Sequence, residues 1–219
     1  MENGEQIILI DKPAGMSSFG VVARVRRKLS AALGHKVKVG HTGTLDPFAT
    51  GLLILLAGKA TKRSNEFLKL DKIYEADVCL GATSTTGDTE GEITKNEVKA
   101  PEREVVENVV NSFVGKISQK VPQFSAVKIN GERAYKLARS GQEFETPTRE
   151  IEIYAIEVLD YDFPVLKIRC HVSSGTYIRT LGEDIGKKLG TGAYLTALRR
   201  IQIGGHNIKD AKTLDEFMS

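Results

Sequence analysis

Between Val39 and Gly51 the chain reads VGHTGTLDPFATG. Glycines at 40, 43 and 51 and a proline at 47 exclude a regular helix or strand here. Gly visits backbone angles closed to other residues, and Pro fixes its own and lacks an N–H. Directly after comes Leu52-Leu53-Ile54-Leu55-Leu56, an unbroken apolar run of strand length that belongs in a core. Any fold of this chain must therefore hang an irregular loop on the start of a buried strand. The loop carries one imidazole (His41), three threonine hydroxyls and a single carboxylate, Asp46. It suits the presentation of one reactive side chain. The plainer alternative is that Asp46-Pro47 is only a polar turn.

Around this loop the periodicity predicts further elements. Ile7 to Ile10 reads as a buried strand, ended by Asp11-Lys12-Pro13-Ala14-Gly15. Ser17 or Ser18 can cap a helix whose apolar positions Val21, Val22, Val25 and Leu29 recur at helical spacing. Arg24, Arg26, Arg27, Lys28, Lys36 and Lys38 lie between Val21 and Gly40 with no acid among them. That run fits either a solvated helix face or a surface that follows phosphates. Lys72 to Leu80 alternates as a strand, and Gly81 to Glu92 is a polar loop. Pro101, Glu102 and Glu104 open a helix with Val105, Val106, Val109, Val110 and Phe113 on its apolar face. Ile151 to Leu159 and Leu166 to Val172 are strands. Ile178, Leu181, Ile185 and Leu189 share one helical face, with Arg179 off it near the start. Strands and helices do not alternate regularly, which predicts an α+β fold: a mixed, mainly antiparallel sheet flanked by helices. At 219 residues one domain spanning 1–219 is expected.

Several function classes fall away. The net charge of +3 permits an anionic partner without demanding one. Cys79 and Cys170 stand far apart with no CxxC, which points to a reducing cytoplasm and to neither a zinc site nor a disulfide framework. The opening MENGEQIILIDKP lacks the pattern of a signal peptide. The longest apolar run, Leu52 to Ala57, is too short to span a bilayer. Gly58-Lys59-Ala60-Thr61 fails as a P-loop, because Leu53 and Ala60 stand where Gly and Ser or Thr are needed. Gly190 to Leu195 lacks the final Gly of a dinucleotide fingerprint.

The loop sequence GHTGTLDPFATGLL resembles the signature of the tRNA pseudouridine-55 synthases of the bacterial TruB type. DKPAGMSS from Asp11 is similar to the opening motif of that family, and Lys72-Ile73-Tyr74-Glu75-Ala76 to its K-x-Y-x-A position. Asp88 and Gly91 match its T-x-T-x-D-x-x-G stretch. Gln119 to Lys128 and Gly131 to Gly141 resemble its insertion, Ser173 to Arg179 its S-x-G-T-Y-I-R segment, and Leu198-Arg199-Arg200 its L-R-R segment. The likeness runs from Ile8 to about Phe217.

The resemblance implies a pseudouridine-synthase-like fold and isomerisation of a uridine in the T-loop of tRNA. The N1–C1′ bond breaks, the flipped uracil turns, and C5 rejoins C1′. Asp46 is the implied catalytic residue, Arg179 its partner, and Tyr74 the ring stacked on the target base. Tyr177 and Leu198 would line the uridine pocket, Lys12 would shape its floor, and His41 would fill the vacated space or stack on neighbouring bases. Asp88 would be structural, an orienting residue at most. Arg24, Arg27 and Lys28, with Lys128 and Arg139 of an RNA-clamping insertion around 120–150, would contact the RNA backbone. No cofactor or metal is implied. The expected partner is the tRNA T-arm stem-loop, with no obligatory protein partner and no membrane, for a cytoplasmic monomer. Family members usually add a C-terminal RNA-binding domain, often of the PUA type; a sequence that stops at Ser219 is expected to be either a short form without it or a piece cut before it. The rival reading is an RNA-binding module or tRNA-folding chaperone, against which the set Asp46, Tyr74 and Arg179 argues.

Overall fold

The computed structural model describes residues 5–219; the first four residues of the N-terminal stretch read above lie outside them. In chain order the elements begin β1 (Gln6–Lys12), α1 (Ser18–Leu33), β2 (Val39–His41), β3 (Thr50–Ala57), α2 (Ser64–Leu68) and β4 (Lys72–Leu80). They continue β5 (Ala82–Ser84), β6 (Ile93–Lys95), α3 (Arg103–Asn111), β7 (Gly115–Lys120), β8 (Lys128–Ile129), β9 (Glu132–Arg133) and α4 (Ala134–Arg139). Last come β10 (Thr148–Asp162), β11 (Val165–Val172), α5 (Ile178–Leu189), β12 (Ala193–Ile203), β13 (His206–Asn207), β14 (Lys212–Thr213) and α6 (Leu214–Met218). They form two compact units, one of residues up to Glu75 with Ala197–Ser219, the other of Ala76–Thr196. Strands β4 and β12 each begin in one unit and end in the other.

In the first unit β3 is the centre, as the apolar run requires. Leu52 to Leu56 are at most 1% exposed. β1 pairs with β3 antiparallel from Gln6↔Ala57 to Lys12↔Gly51. β2 also pairs antiparallel, Val39↔Ala57 to His41↔Leu55, and β12 pairs parallel at Arg200↔Gly51. Ser17 caps α1 by accepting from the Gly20 N–H, and the helix ends on Gly34 at φ 70°. Val21, Val22 and Val25 bury against Ile8, Ile10, Leu53 and Leu55. β1 is not buried throughout: Ile8 and Ile10 point into the core while Ile7 is 41% exposed. A strand lined on one face only alternates in this way.

The second unit is built on β11 paired antiparallel with β10, and β10 with β7. Ile153, Leu166, Ile168, Cys170 and Val172 are fully buried. Helix α3 packs on β10 and α5, burying Val106 and Val110. It starts at Arg103 rather than Pro101, whose carbonyl accepts from the Tyr161 hydroxyl. A Cβ on Gly186 would stand 2.4 Å from the Ala193 N; only glycine lets α5 approach β12 so closely. Segment 120–150 carries the hairpin β8–β9 and α4. The expected α+β class, with a mixed and mainly antiparallel sheet flanked by helices, is the one observed. Among the described residues no helix is long and apolar enough to cross a membrane.

Candidate active site

The loop of the first unit holds Asp46 by its neighbours. The Ser18 hydroxyl donates to the Leu45 carbonyl at 3.0 Å and accepts from the Leu45 N–H at 2.8 Å. On the other side the Pro47 carbonyl accepts from the Gly15 N–H at 2.8 Å and from the Lys12 ammonium at 3.3 Å. The Ala49 N–H closes the turn onto the Asp46 carbonyl at 3.2 Å, the geometry that proline at the second turn position favours. Lys12 is fully buried and donates also to the carbonyls of Pro13 and Met16. Its ammonium ties the opening motif to the Asp46 loop, while the Asp46 side chain itself stays half-exposed.

Tyr74 and Leu198 are buried, at 8% and 7% exposure. His41 lies half-buried at the end of β2, with Nδ1 accepting from the Gly43 N–H at 3.4 Å. Burial and then the nearby Arg200 guanidinium push its pKa below the ordinary histidine value, so the ring is neutral at neutral pH. Arg24 and Arg27 are exposed on α1. Lys28, half-buried, donates to the Phe217 carbonyl at 2.7 Å, at the end of α6. Phe19, one residue beyond Ser18, is 63% exposed with the Arg26 guanidinium 6.0 Å from its ring centroid.

In the second unit Arg179 is buried, at 4% exposure, so it is no surface arginine. Its Nη1 donates to the Thr86 carbonyl at 2.7 Å and lies 3.4 Å from Asp88 Oδ2; its Nη2 donates to the Phe124 carbonyl at 2.7 Å. Asp88, 2% exposed, also accepts from the Thr86 hydroxyl at 2.5 Å and the Glu90 N–H at 3.0 Å. Glu183 nearby has its pKa raised, chiefly by burial, against the lowering influence of Arg179. Tyr177, the residue before α5, is gripped through its backbone by the buried Gln119. The Gln119 amide accepts from the Tyr177 N–H at 2.8 Å and donates to its carbonyl at 3.0 Å. Lys128 and Arg139 are exposed on the 120–150 segment.

Lys12, His41, Asp46, Tyr74 and Leu198 thus belong to the first unit, and Tyr177 and Arg179 to the second. Sequence reasoning missed two residues, Arg200 and Gln119. Arg200 was legible in principle: it stands two places beyond Leu198 on one strand, hence on the same face. Among the described residues no group of three or more His, Cys, Asp or Glu is disposed to hold a metal ion.

Lys72 makes a measurable prediction. It is 6% exposed and donates to the carbonyls of Leu68, at 2.9 Å, and Leu70. Burial, then Arg200, lowers its pKa to about 8 against an ordinary 10.5, Asp71 opposing. The unfolded chain then binds more protons than the folded one between those values, so this residue's contribution to stability rises as pH climbs from about 8 to 10.5. Urea denaturation of wild type and Lys72→Met across that range should show the rise in wild type relative to the variant. Parallel curves would remove the assignment.

Comparison with known proteins follows the same residues. Residues 26–178 match the model of the TruB family pseudouridylate synthase (N terminal domain). Residues 179–219 match that of the tRNA pseudouridylate synthase B C-terminal domain. The tRNA pseudouridine synthase B of Cupriavidus metallidurans is 46% identical over 213 residues, covering 96% of this chain and 66% of that protein. That of Desulfotalea psychrophila is 49% identical over 214 residues, covering 94% and 85%. Among solved structures, the crystal structure of a Cbf5-Nop10-Gar1 complex is similar with TM-score 0.74 at 30% identity, covering 97% of this chain and 53% of that one. The chain therefore spans just under two thirds of the Cupriavidus protein.

Proposed function

The chain belongs to the TruB family of pseudouridylate synthases, and we propose that it isomerises one uridine in the T-loop of tRNA to pseudouridine. The observation that carries this reading is the double clamp on the Asp46 loop, by Ser18 on Leu45 and by Lys12 on Pro47. A carboxylate held by its backbone neighbours is preorganised before substrate arrives, which is where catalytic groups gain most.

The uridine leaves its stack at a cost of a few kcal/mol. Tyr74 stacks on the extruded base, a contact worth about 1–3 kcal/mol, with Tyr177 and Leu198 completing the pocket. His41, neutral and half-buried, occupies the space the base vacates. Asp46 acts in its ionised form; the family resemblance makes Arg179 its partner, a guanidinium suited to favouring and orienting a carboxylate. The N1–C1′ bond breaks, the ring turns, and C1′–C5 forms; C5 gives up a proton and N1 takes one, so composition is unchanged. The exposed Arg24, Arg27, Lys128 and Arg139, with the half-buried Lys28, follow the phosphates of the T-arm.

The test is incubation with an unmodified tRNA transcript, an isolated T-arm hairpin and a linear oligomer of the same loop sequence, followed by pseudouridine mapping. The hairpin should match whole tRNA in kcat/KM, and the linear oligomer should be poor because His41 needs a folded loop to enter. Binding should weaken as salt rises, since arginine and lysine act by displacing counterions. Equal activity on linear RNA, or no pseudouridine at all, would refute the reading.

A further inference from the structure

Arg200 is 1% exposed, among the largest fully buried side chains. Taking a guanidinium out of water is costly unless its donors are satisfied. Here they reach carbonyl oxygens: Nε donates to Leu52 at 2.8 Å and Nη2 to Gly43 at 3.1 Å. Those two carbonyls bracket the segment that holds Asp46. Gly43 lies three residues before the carboxylate and Leu52 six after it. The guanidinium carbon also stands 6.0 Å from the centroid of the Tyr74 ring, the range in which a cation is drawn to an aromatic face.

The backbone is built to allow this. Gly51 pairs with Arg200 across β3 and β12. It sits at φ 102°, and a Cβ there would lie 2.3 Å from the Arg200 carbonyl oxygen. No other residue fits without moving one strand. The sequence thus brings the Arg200 main chain against the foot of the Asp46 loop and folds its side chain back across the opening.

We propose that Arg200 is a positioning residue for the reaction, a clasp that closes the Asp46 loop and sets it against Tyr74. It touches neither uridine nor the reacting atoms. It acts by fixing, in one planar group, the two ends of the loop and one face of the ring. Lysine cannot replace it, because a single ammonium lacks the planar fork that reaches both carbonyls and faces a ring. The inference rests on the pseudouridine-synthase reading above.

The experiment compares wild type, Arg200→Lys and Arg200→Gln on the T-arm hairpin. Single-turnover rates, hairpin Kd and thermal melting are all recorded. A loop displaced by about 1 Å costs about 100-fold in rate; Arg200→Lys should lose that much while its hairpin Kd stays within a factor of about three, because RNA affinity is governed by phosphate contacts. The loss should shrink in a Tyr74→Leu background and persist in Tyr74→Phe, which keeps the ring. An unchanged rate in Arg200→Lys, or a rate loss matched by the loss in Kd, overturns the proposal. So does an equal loss in both Tyr74 backgrounds. If neither Arg200 variant folds, the Nε–H resonance of Arg200 in the intact protein carries the test. A ring-current shift that disappears in Tyr74→Leu supports the clasp, and its absence overturns it. A wild type that makes no pseudouridine fails the underlying reading; a wild type that makes it, matched by Arg200→Lys, fails only this one.

Discussion

Asp46→Asn is expected to lower the single-turnover rate of pseudouridine formation by at least about 10⁴-fold, the scale on which enzymes lose rate when an acting group is removed. The change keeps the shape of the side chain and removes its charge. The surrounding turn should survive, because its bonds run through main-chain atoms: the Leu45 amide and carbonyl, the Pro47 carbonyl, and the Asp46 carbonyl to Ala49. RNA affinity should also survive within a factor of about three, since phosphate contacts dominate it. The measurement is product formation with enzyme in excess, with mass spectrometry excluding deamidation back to aspartate. Wild-type product formation by the asparagine variant would end the assignment of Asp46.

Arg179→Lys is the second large effect. The guanidinium serves two carbonyls, of Thr86 and Phe124, and lies beside the Asp88 carboxylate. All of this is buried, with the two side chains at 5% and 2% exposure. An ammonium cannot span those directions at once, so one carbonyl loses its donor. A buried acceptor left unpaired costs about 1–3 kcal/mol, which urea denaturation would read. The displaced charge should also lower the single-turnover rate by about 100-fold. A lysine variant with an unchanged rate would leave Arg179 as a structural anchor of the Asp88 loop and no more.

Much of this molecule was legible along the chain. The Ser17 cap, the one-faced helix α1, the buried β3 and the alternating β4 and β11 are local signals, carried by residues a few places apart. The irregular loop announced itself through its glycines and proline. What stayed hidden are pairings over long separations, which periodicity does not encode. Nothing near Gln119 says that its amide will grip the backbone of Tyr177, 58 residues on. Nothing near Arg179 says that it will be buried with Asp88, because an arginine off the apolar face of a helix reads as solvated. Lys28, read from its basic run as a phosphate contact, also bonds the Phe217 carbonyl, 189 residues away.

The separations of the two Arg200 bonds, 148 residues to Leu52 and 157 to Gly43, bear on how the protein comes into being on the ribosome. The loop bearing Asp46 emerges early and β3 can pair with β1 at once. The arginine that bridges its two ends is made only after the whole of the second unit. Contacts of such long range form late and slowly. The nascent chain therefore holds the Asp46 carboxylate on an unbridged loop until the second unit has been made and Arg200 follows it. The geometry of that loop waits on a residue made long after the loop itself.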